Sequence, residues 1–552
     1  MREYSFLIGG KAGEGINQAG AVIAELLNQL GYRVYMYYDY PSLIRGGHNF
    51  SIVRASQKKI TTHREKVDFL LALNADCIEL HGDKIDKNTM IIYDSDSVSP
   101  SNRGGLGAPL GKIIKDEKGQ PIMRNSCMIG ALCKAAGIGW DMLEQVFKKE
   151  FSKDLKLNLR IARRGFDETK KITEIKAANN KPLPLLTGNE AIGQALVKAG
   201  VKSYIAYPMT PASSILHYLA GIADKAGLKV IHPESEIAVI LMALGFSYCG
   251  RKTAVGTSGG GFCLMTEGLS LAGMAELPVV IVVSQRPGPS TGVPTYTAQG
   301  DLNFVLNAGH GEFTRFVAAP GDAEEAFYWS EVASNIAWKY QVPSIILSDK
   351  ALSEGTFSFD RASTGTLDEG KSAEWDNAKP YKRYADTQTG VSPMAFPPLK
   401  DEVIKATSYE HDEHGITTEN IDKIKSMQDK RLRKERYLIE ELENLESVKI
   451  HGDNNAETAL VAWGSNKGVS FEAAERFNLK VVQPIVLAPF PEEKFRKSLK
   501  GVKKIIVVEN NVTGQMAKLI SGFGAKVDCK ILKYNGRPFS LDELEEEIEL
   551  VL

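Results

Sequence analysis

Tyr204–Glu236 reads YIAYPMTPASSILHYLAGIADKAGLKVIHPESE. The apolar run Tyr204–Tyr207 stops at Pro208. The turn Pro208–Ser214 follows, then apolar residues at helical spacing from Ile215 to Ala226. A second apolar run, Leu228–Ile231, ends in His232-Pro233-Glu234-Ser235-Glu236. That order is strand, turn, helix, strand, and then a carboxylate opening another helix. It predicts an α/β unit with parallel strands, whose polar turns both fall at the carboxyl edge of the sheet, where such sheets bind ligands. On this stretch alone Thr210 and Ser213 could equally be helix caps.

The flanking sequence extends the pattern. Strands are expected at Ser203–Tyr207, Lys229–His232, Thr253–Thr257, Val279–Ser284 and Ser344–Ser348. Gly256-Thr257-Ser258-Gly259-Gly260-Gly261 follows the third and Ser284-Gln285-Arg286-Pro287-Gly288-Pro289-Ser290-Thr291-Gly292 the fourth. With Thr210 and Glu236, four consecutive strand ends carry polar or glycine-rich clusters. Helix caps scattered by chance would fall at both edges, so a site is the better reading.

The 552 residues bound the rest. Net charge is −1, which gives no nucleic-acid footprint. No apolar run approaches the roughly 20 residues of a membrane span, and MREYSFLIGG enters a strand with no signal-peptide layout, so a cytoplasmic location is expected. None of the six cysteines forms a CxxC pair; buried thiols are expected, and the chain shows no iron–sulfur ligand set of its own.

Residues 1–180 read as one α/β domain. The strand Tyr4–Ile8, the glycine turn Gly9–Gly15, a helical pattern from Ile16 to Leu30 and the strand Tyr32–Tyr38 ending at Asp39 are close to a dinucleotide-binding unit, but the glycines run GGxxGxG rather than GxGxxG. They serve either anion binding or a tight turn. In the loop Asp39–His48, Arg45 is either an anion-directed cation or a solvated side chain. Lys181–Leu186, with two prolines, reads as a linker. Residues 187–355 form the central domain and 356–450 a connecting segment. In that segment Glu410-His411-Asp412-Glu413-His414 is expected to be a polar turn, because its histidines lack the i,i+4 spacing of helix-borne ligands, and Ile421–Leu445 a charged strut or subunit contact. Residues 455–552 form a last α/β domain with strands at Ala459–Trp463, Lys480–Ile485, Lys504–Glu509 and Lys526–Leu532.

In this order GGKAGEGINQAG, DYPSLIRGGHNF, YPMTPASSILH, PESEIAVILMALG, GTSGGGFCLMTEG, QRPGPSTGVPTYTAQGDL, EHDEHG and VVENNVTGQ resemble the α subunit of 2-oxoacid:ferredoxin oxidoreductases with a γ domain fused at the N-terminus, above all the 2-oxoglutarate-using members. The resemblance implies a γ domain, a thiamine-diphosphate pyrimidine-binding-like domain and a transketolase C-terminal-like domain. It implies CoA-dependent oxidative decarboxylation of a 2-oxoacid, most simply 2-oxoglutarate to succinyl-CoA, with electrons passed to ferredoxin. Glu236 would contact the aminopyrimidine of thiamine diphosphate, with Thr257 and Ser258 on the loop beside it. Arg286 would pair with substrate carboxylate, Thr210 and Tyr207 would hydrogen-bond substrate, and Arg45 is a candidate for a distal carboxylate. Glu234, two residues from Glu236, is the competing register. The turn carries Met209 where the family has isoleucine.

No GDG followed by an asparagine pair is present to hold a cofactor diphosphate through a divalent ion. The resemblance places Mg2+ and a [4Fe-4S] cluster in a separate β subunit, within a dimer of α–β pairs, so no metal ligand is assigned to this chain. Other readings remain at this stage: pyruvate or branched-chain acids as substrate, a nicotinamide-dependent dehydrogenase built on the glycine turn, or a non-catalytic scaffold subunit.

Overall fold

The computed structural model describes residues 2–42, 46–98, 104–400 and 402–552. Three sheets flanked by helices run through it, and most neighbouring strands are parallel.

The central sheet orders its strands Val486–Ala488, Phe316–Ala318, Pro343–Asp349, Val279–Gln285, Thr253–Thr257, Ser203–Ile205 and Lys229–Ile231. All but the first are parallel. Val279–Val283 is uninterrupted valine and isoleucine because helices cover both faces and every side chain is buried. The register Gln285↔Asp349 and Thr257↔Val283 brings the carboxyl ends of these strands to one edge. The first strand stops at Ile205, two residues before the expected end. Val486–Ala488 leaves the C-terminal domain and pairs antiparallel with Phe316–Ala318.

The N-terminal sheet runs Leu106–Ala108, Met90–Asp94, Phe69–Ala72, Glu3–Lys11, His48–Ser56, Arg33–Asp39, Thr356–Ser358 and Leu185–Thr187. His48–Ser56 lies antiparallel between Glu3–Lys11 and Arg33–Asp39. The strands around the glycine turn are therefore not neighbours, as a dinucleotide-binding unit requires. The turn is also filled by its own side chains. Glu14 Oε2 accepts from the Lys11 N–H at 2.7 Å, and a Cβ on Gly10 would come within 2.5 Å of that oxygen. A carboxylate in that place repels phosphate.

The C-terminal sheet runs Val448–Gly452, Lys480–Pro484, Thr458–Ala462, Lys504–Glu509 and Cys529–Leu532. The long helix spans Ile421–Leu442, and its basic half turns inward. Lys430, Arg431 and Lys434 are buried. Lys430 Nζ lies 2.7 Å from Glu276, which Lys434 also meets, and Arg431 forks onto Glu410 at 3.0 and 2.5 Å. Burial alone would raise the Glu276 carboxyl, but Lys430, Lys434 and Arg383 outweigh it and hold the group well below the usual carboxylate range. These basic side chains thus brace the helix against the protein and are not presented to solvent. Glu410–His414 forms a turn in which Asp412 accepts from the N–H groups of His414 and Ile416 and the His411 ring packs 3.8 Å from Tyr384. Among the described residues no helix is long and apolar enough to cross a membrane.

Candidate active site

Two chain segments at the sheet edge converge on one glycine. Glu236 is the first residue of the helix Glu236–Tyr248, whose cap is Ser235, with Oγ accepting from Ala238 N–H at 3.5 Å. This start turns Glu236 into the protein, where it is 3 % exposed, while Glu234 stays at the surface. A Cβ on Gly261 would stand 2.4 Å from Glu236 Oε1 and 2.1 Å from Thr257 Oγ1. Only a residue without a side chain leaves that gap. Glu236 Oε1 is shielded and has no hydrogen-bond partner among the described residues. A buried acceptor left unmade costs about 1–3 kcal/mol, more if charged, so its presence is better explained by a ligand than by stability.

The glycine loop continues the same surface. Thr257 Oγ1 donates to Ser258 O at 3.4 Å. Ser258 occupies the cap position of the helix Gly259–Met274 but makes no side-chain cap, and its buried Oγ has no partner. Orphan carboxylate, orphan hydroxyl and a glycine-floored gap fit a planar nitrogen heterocycle that both donates and accepts hydrogen bonds.

The Tyr207–Ser214 turn faces this loop through Arg286. Arg286 Nη1 donates to Thr210 O at 2.8 Å, while its buried Nε has no partner. Asn189 Nδ2 fixes the turn from beneath, at 2.8 Å to Pro211 O and 2.7 Å to Ser214 Oγ. The next helix is capped from Ala212 with no side-chain bond, so the cap reading of Thr210 and Ser213 does not hold. Tyr207 stands on the rim, 37 % exposed, its ring 5.8 Å from that of His232. Burial lowers the pKa of Arg286 and the charge of Asp301 opposes that shift. Arg45 lies outside the described residues.

Asp301 was not singled out from the sequence, where an acid opening a short helix reads as a cap. Tyr204 was likewise read only as strand core; its buried hydroxyl has no partner, and a Cβ on Gly256 would collide with it. Beside the site, Ile237, Leu241, Met242 and Leu264 are 41–49 % exposed on the two helices that begin at Glu236 and Gly259. With His310, Phe313 and Arg431, Ile237, Leu241 and Leu264 line a cavity of about 430 Å³.

The chain is similar to known proteins along its whole length. Residues 5–168 match the family described as pyruvate ferredoxin/flavodoxin oxidoreductase. Residues 194–430 match its thiamine-diphosphate-binding part, and 456–543 the pyruvate:ferredoxin oxidoreductase core domain II. A 2-oxoacid:ferredoxin oxidoreductase subunit alpha from a Sulfolobus species is 32 % identical, over 99 % of this chain and 97 % of that one. A 2-oxoglutarate synthase subunit KorA from Methanocaldococcus jannaschii is 30 % identical over 66 % of this chain and 98 % of its own. The solved 2-oxoglutarate:ferredoxin oxidoreductase from Magnetococcus marinus, with 2-oxoglutarate, coenzyme A and succinyl-CoA bound, superimposes with a TM-score of 0.90 at 30 % identity, covering 100 % of this chain and 99 % of that one. Full-length similarity in sequence and in fold, around a sheet edge that carries the site, makes this chain a member of the 2-oxoacid:ferredoxin oxidoreductase family, of the alpha-subunit type.

Proposed function

We propose that the chain is the α subunit, with fused γ domain, of an enzyme that converts 2-oxoglutarate and coenzyme A to succinyl-CoA and carbon dioxide and passes two electrons to ferredoxin. The observation that carries the reading is the orphan Oε1 of buried Glu236 over Gly261. The named ligands of the Magnetococcus marinus relative support the substrate. The spans 1–180, 187–355, 356–450 and 455–552 are taken as γ domain, pyrimidine-binding-like domain, connecting segment and C-terminal domain.

Thiamine diphosphate supplies, when bound, the carbon nucleophile and electron sink that decarboxylation of a 2-oxoacid requires. Glu236 would hold a proton at Oε1 against a ring nitrogen of the aminopyrimidine, with Thr257 and Ser258 orienting the ring. Proton handling of this kind contributes roughly 10²–10⁴-fold to rate. Arg286 would take the substrate carboxylate in its planar fork, a geometry lysine does not reproduce. Thr210 and Tyr207 would orient the keto group. Arg45 is assigned the distal carboxylate.

The chain lacks the GDG and asparagine pattern for a diphosphate-bound cation and a cysteine set for a cluster. Mg2+ and [4Fe-4S] are therefore assigned to a β subunit, in a dimer of α–β pairs, and the exposed apolar residues beside Glu236 give that subunit a surface to cover. The test is anaerobic dye reduction by this chain, alone and with its β subunit, on 2-oxoglutarate, pyruvate and a branched-chain 2-oxoacid, with and without coenzyme A. CoA-dependent reduction by the pair alone, fastest with 2-oxoglutarate, supports the reading. Faster turnover of pyruvate or a branched-chain acid reassigns the substrate. No reduction by a pair carrying cluster and cofactor overturns the chemistry.

A further inference from the structure

Asp301 stands immediately before the helix Leu302–Asn307, at the cap position, yet its side chain makes no cap bond. The N–H of Asn303, a natural partner for such a cap, instead donates to Gln515 Oε1 from the C-terminal domain at 2.9 Å. Gln515 is itself fixed, its Nε2 donating to Gly300 O at 2.6 Å. A side chain from another domain thus does the capping and leaves the Asp301 carboxylate free.

That carboxylate is directed into the site. The Asp301 N–H donates to Gln285 Oε1 at 3.0 Å, which seats it beside Arg286. A Cβ on Gly259 would lie 2.4 Å from Asp301 Oδ2, so the carboxylate rests on the glycine loop. Among the described residues Oδ2, which is shielded, has no hydrogen-bond partner, and neither has Nε of Arg286. The two groups are of opposite charge and each acts on the other electrostatically, and each carries a buried bonding position that no described residue fills.

We propose that Asp301 is a substrate-contacting residue that closes, with Arg286, on the carboxylate of the 2-oxoacid by donating its carboxyl proton to one of the substrate oxygens. The guanidinium supplies N–H donors and the neutral acid a further one, and no covalent bond changes. Burial raises the Asp301 carboxyl to about 6, against the opposing charge of Arg286. The other titratable group facing it is Cys263, whose thiol burial raises first and the charge of Asp301 raises further. An arriving anion favours the protonated acid still more. Binding therefore takes up a proton near neutral pH, and affinity for the 2-oxoacid weakens as pH rises. This inference rests on the reading of Arg286 as the carboxylate anchor.

The experiment uses the assembled α–β enzyme with Asp301→Asn and Asp301→Ala. Wild-type KM for the 2-oxoacid should rise between pH 6.5 and 8.5, by up to about tenfold per pH unit, with kcat little changed. Asp301→Asn keeps a neutral donor and should show a flat KM across that range; Asp301→Ala should show a KM about tenfold above that of Asp301→Asn at every pH. Calorimetry of 2-oxoacid binding in two buffers of different ionisation heat should show proton uptake in wild type and none in Asp301→Asn. Thermal midpoints should stay within a few degrees, because the side chain caps nothing. An unchanged KM in Asp301→Ala, or proton uptake that survives in Asp301→Asn, overturns the proposal. Arg286→Lys separates the two readings: if its KM rises while the Asp301 variants match wild type, only Asp301 is misassigned; if its KM is also unchanged, the anchor itself is wrong.

Discussion

Glu236 and Gly261 are mutually dependent: Oε1 of the one occupies space 2.4 Å from where the other would carry a Cβ. Gly261 lies within a helix, where alanine is ordinarily favoured by about 1 kcal/mol. In Gly261→Ala, however, the new Cβ would also stand 2.1 Å from the buried Thr257 Oγ1, so both side chains must turn away and the thermal midpoint should fall. Dye-reduction activity of the assembled, still folded enzyme should fall about 100-fold. Near-normal activity would show that the place of the carboxylate is immaterial.

Glu236→Gln removes proton affinity from a buried acceptor that no described residue satisfies. A loss of roughly 10²–10⁴-fold in kcat is expected, together with unchanged or higher stability, since the native group contributes an unmade hydrogen bond. Denaturant titration beside kinetics checks both halves. A large loss of stability would make Glu236 a structural residue.

Arg286→Lys keeps the charge but loses the planar fork and the bond from Nη1 to Thr210 O. KM for the 2-oxoacid should rise about 10- to 100-fold, with a smaller change in kcat. Titration of initial rates against substrate distinguishes this from a change confined to kcat, which would place Arg286 away from the bound substrate.

Glu276→Ala strands Lys430 and Lys434 in the interior without their carboxylate. Breaking a buried ion pair from one side costs about 3–5 kcal/mol, and the thermal midpoint should fall accordingly. The sign with pH also follows. The folded carboxyl is held below its unfolded value, so its contribution is present above the ordinary glutamate pKa and declines as the solution is acidified through and below that value. Below the ordinary glutamate pKa, once the stranded lysines are charged, wild type should lose stability on acidification more steeply than Glu276→Ala.

The parallel sheet and its polar edge were legible because each is local: an apolar run that ends in glycine or proline, repeated four times. Glu236 was preferred over Glu234 on the family resemblance, which sets it at a helix start; the structure has it there, buried, with Glu234 at the surface. What was hidden depends on partners far along the chain. Nothing near Lys430 discloses that Glu276, 154 residues earlier, awaits it. Nothing near Val486 marks it as an edge strand for Phe316–Ala318. Asp301 reads as a cap until Gln515, more than 200 residues later, is found in its place.

Val486–Ala488 gives the C-terminal region a row of backbone bonds in a sheet that is not its own. A domain tethered by a linker can swing; one laced into its neighbour by a shared strand moves only by unzipping it and exposing a bare strand edge. The central sheet and the C-terminal region are thus held as one frame, and movement between them has to come from another joint.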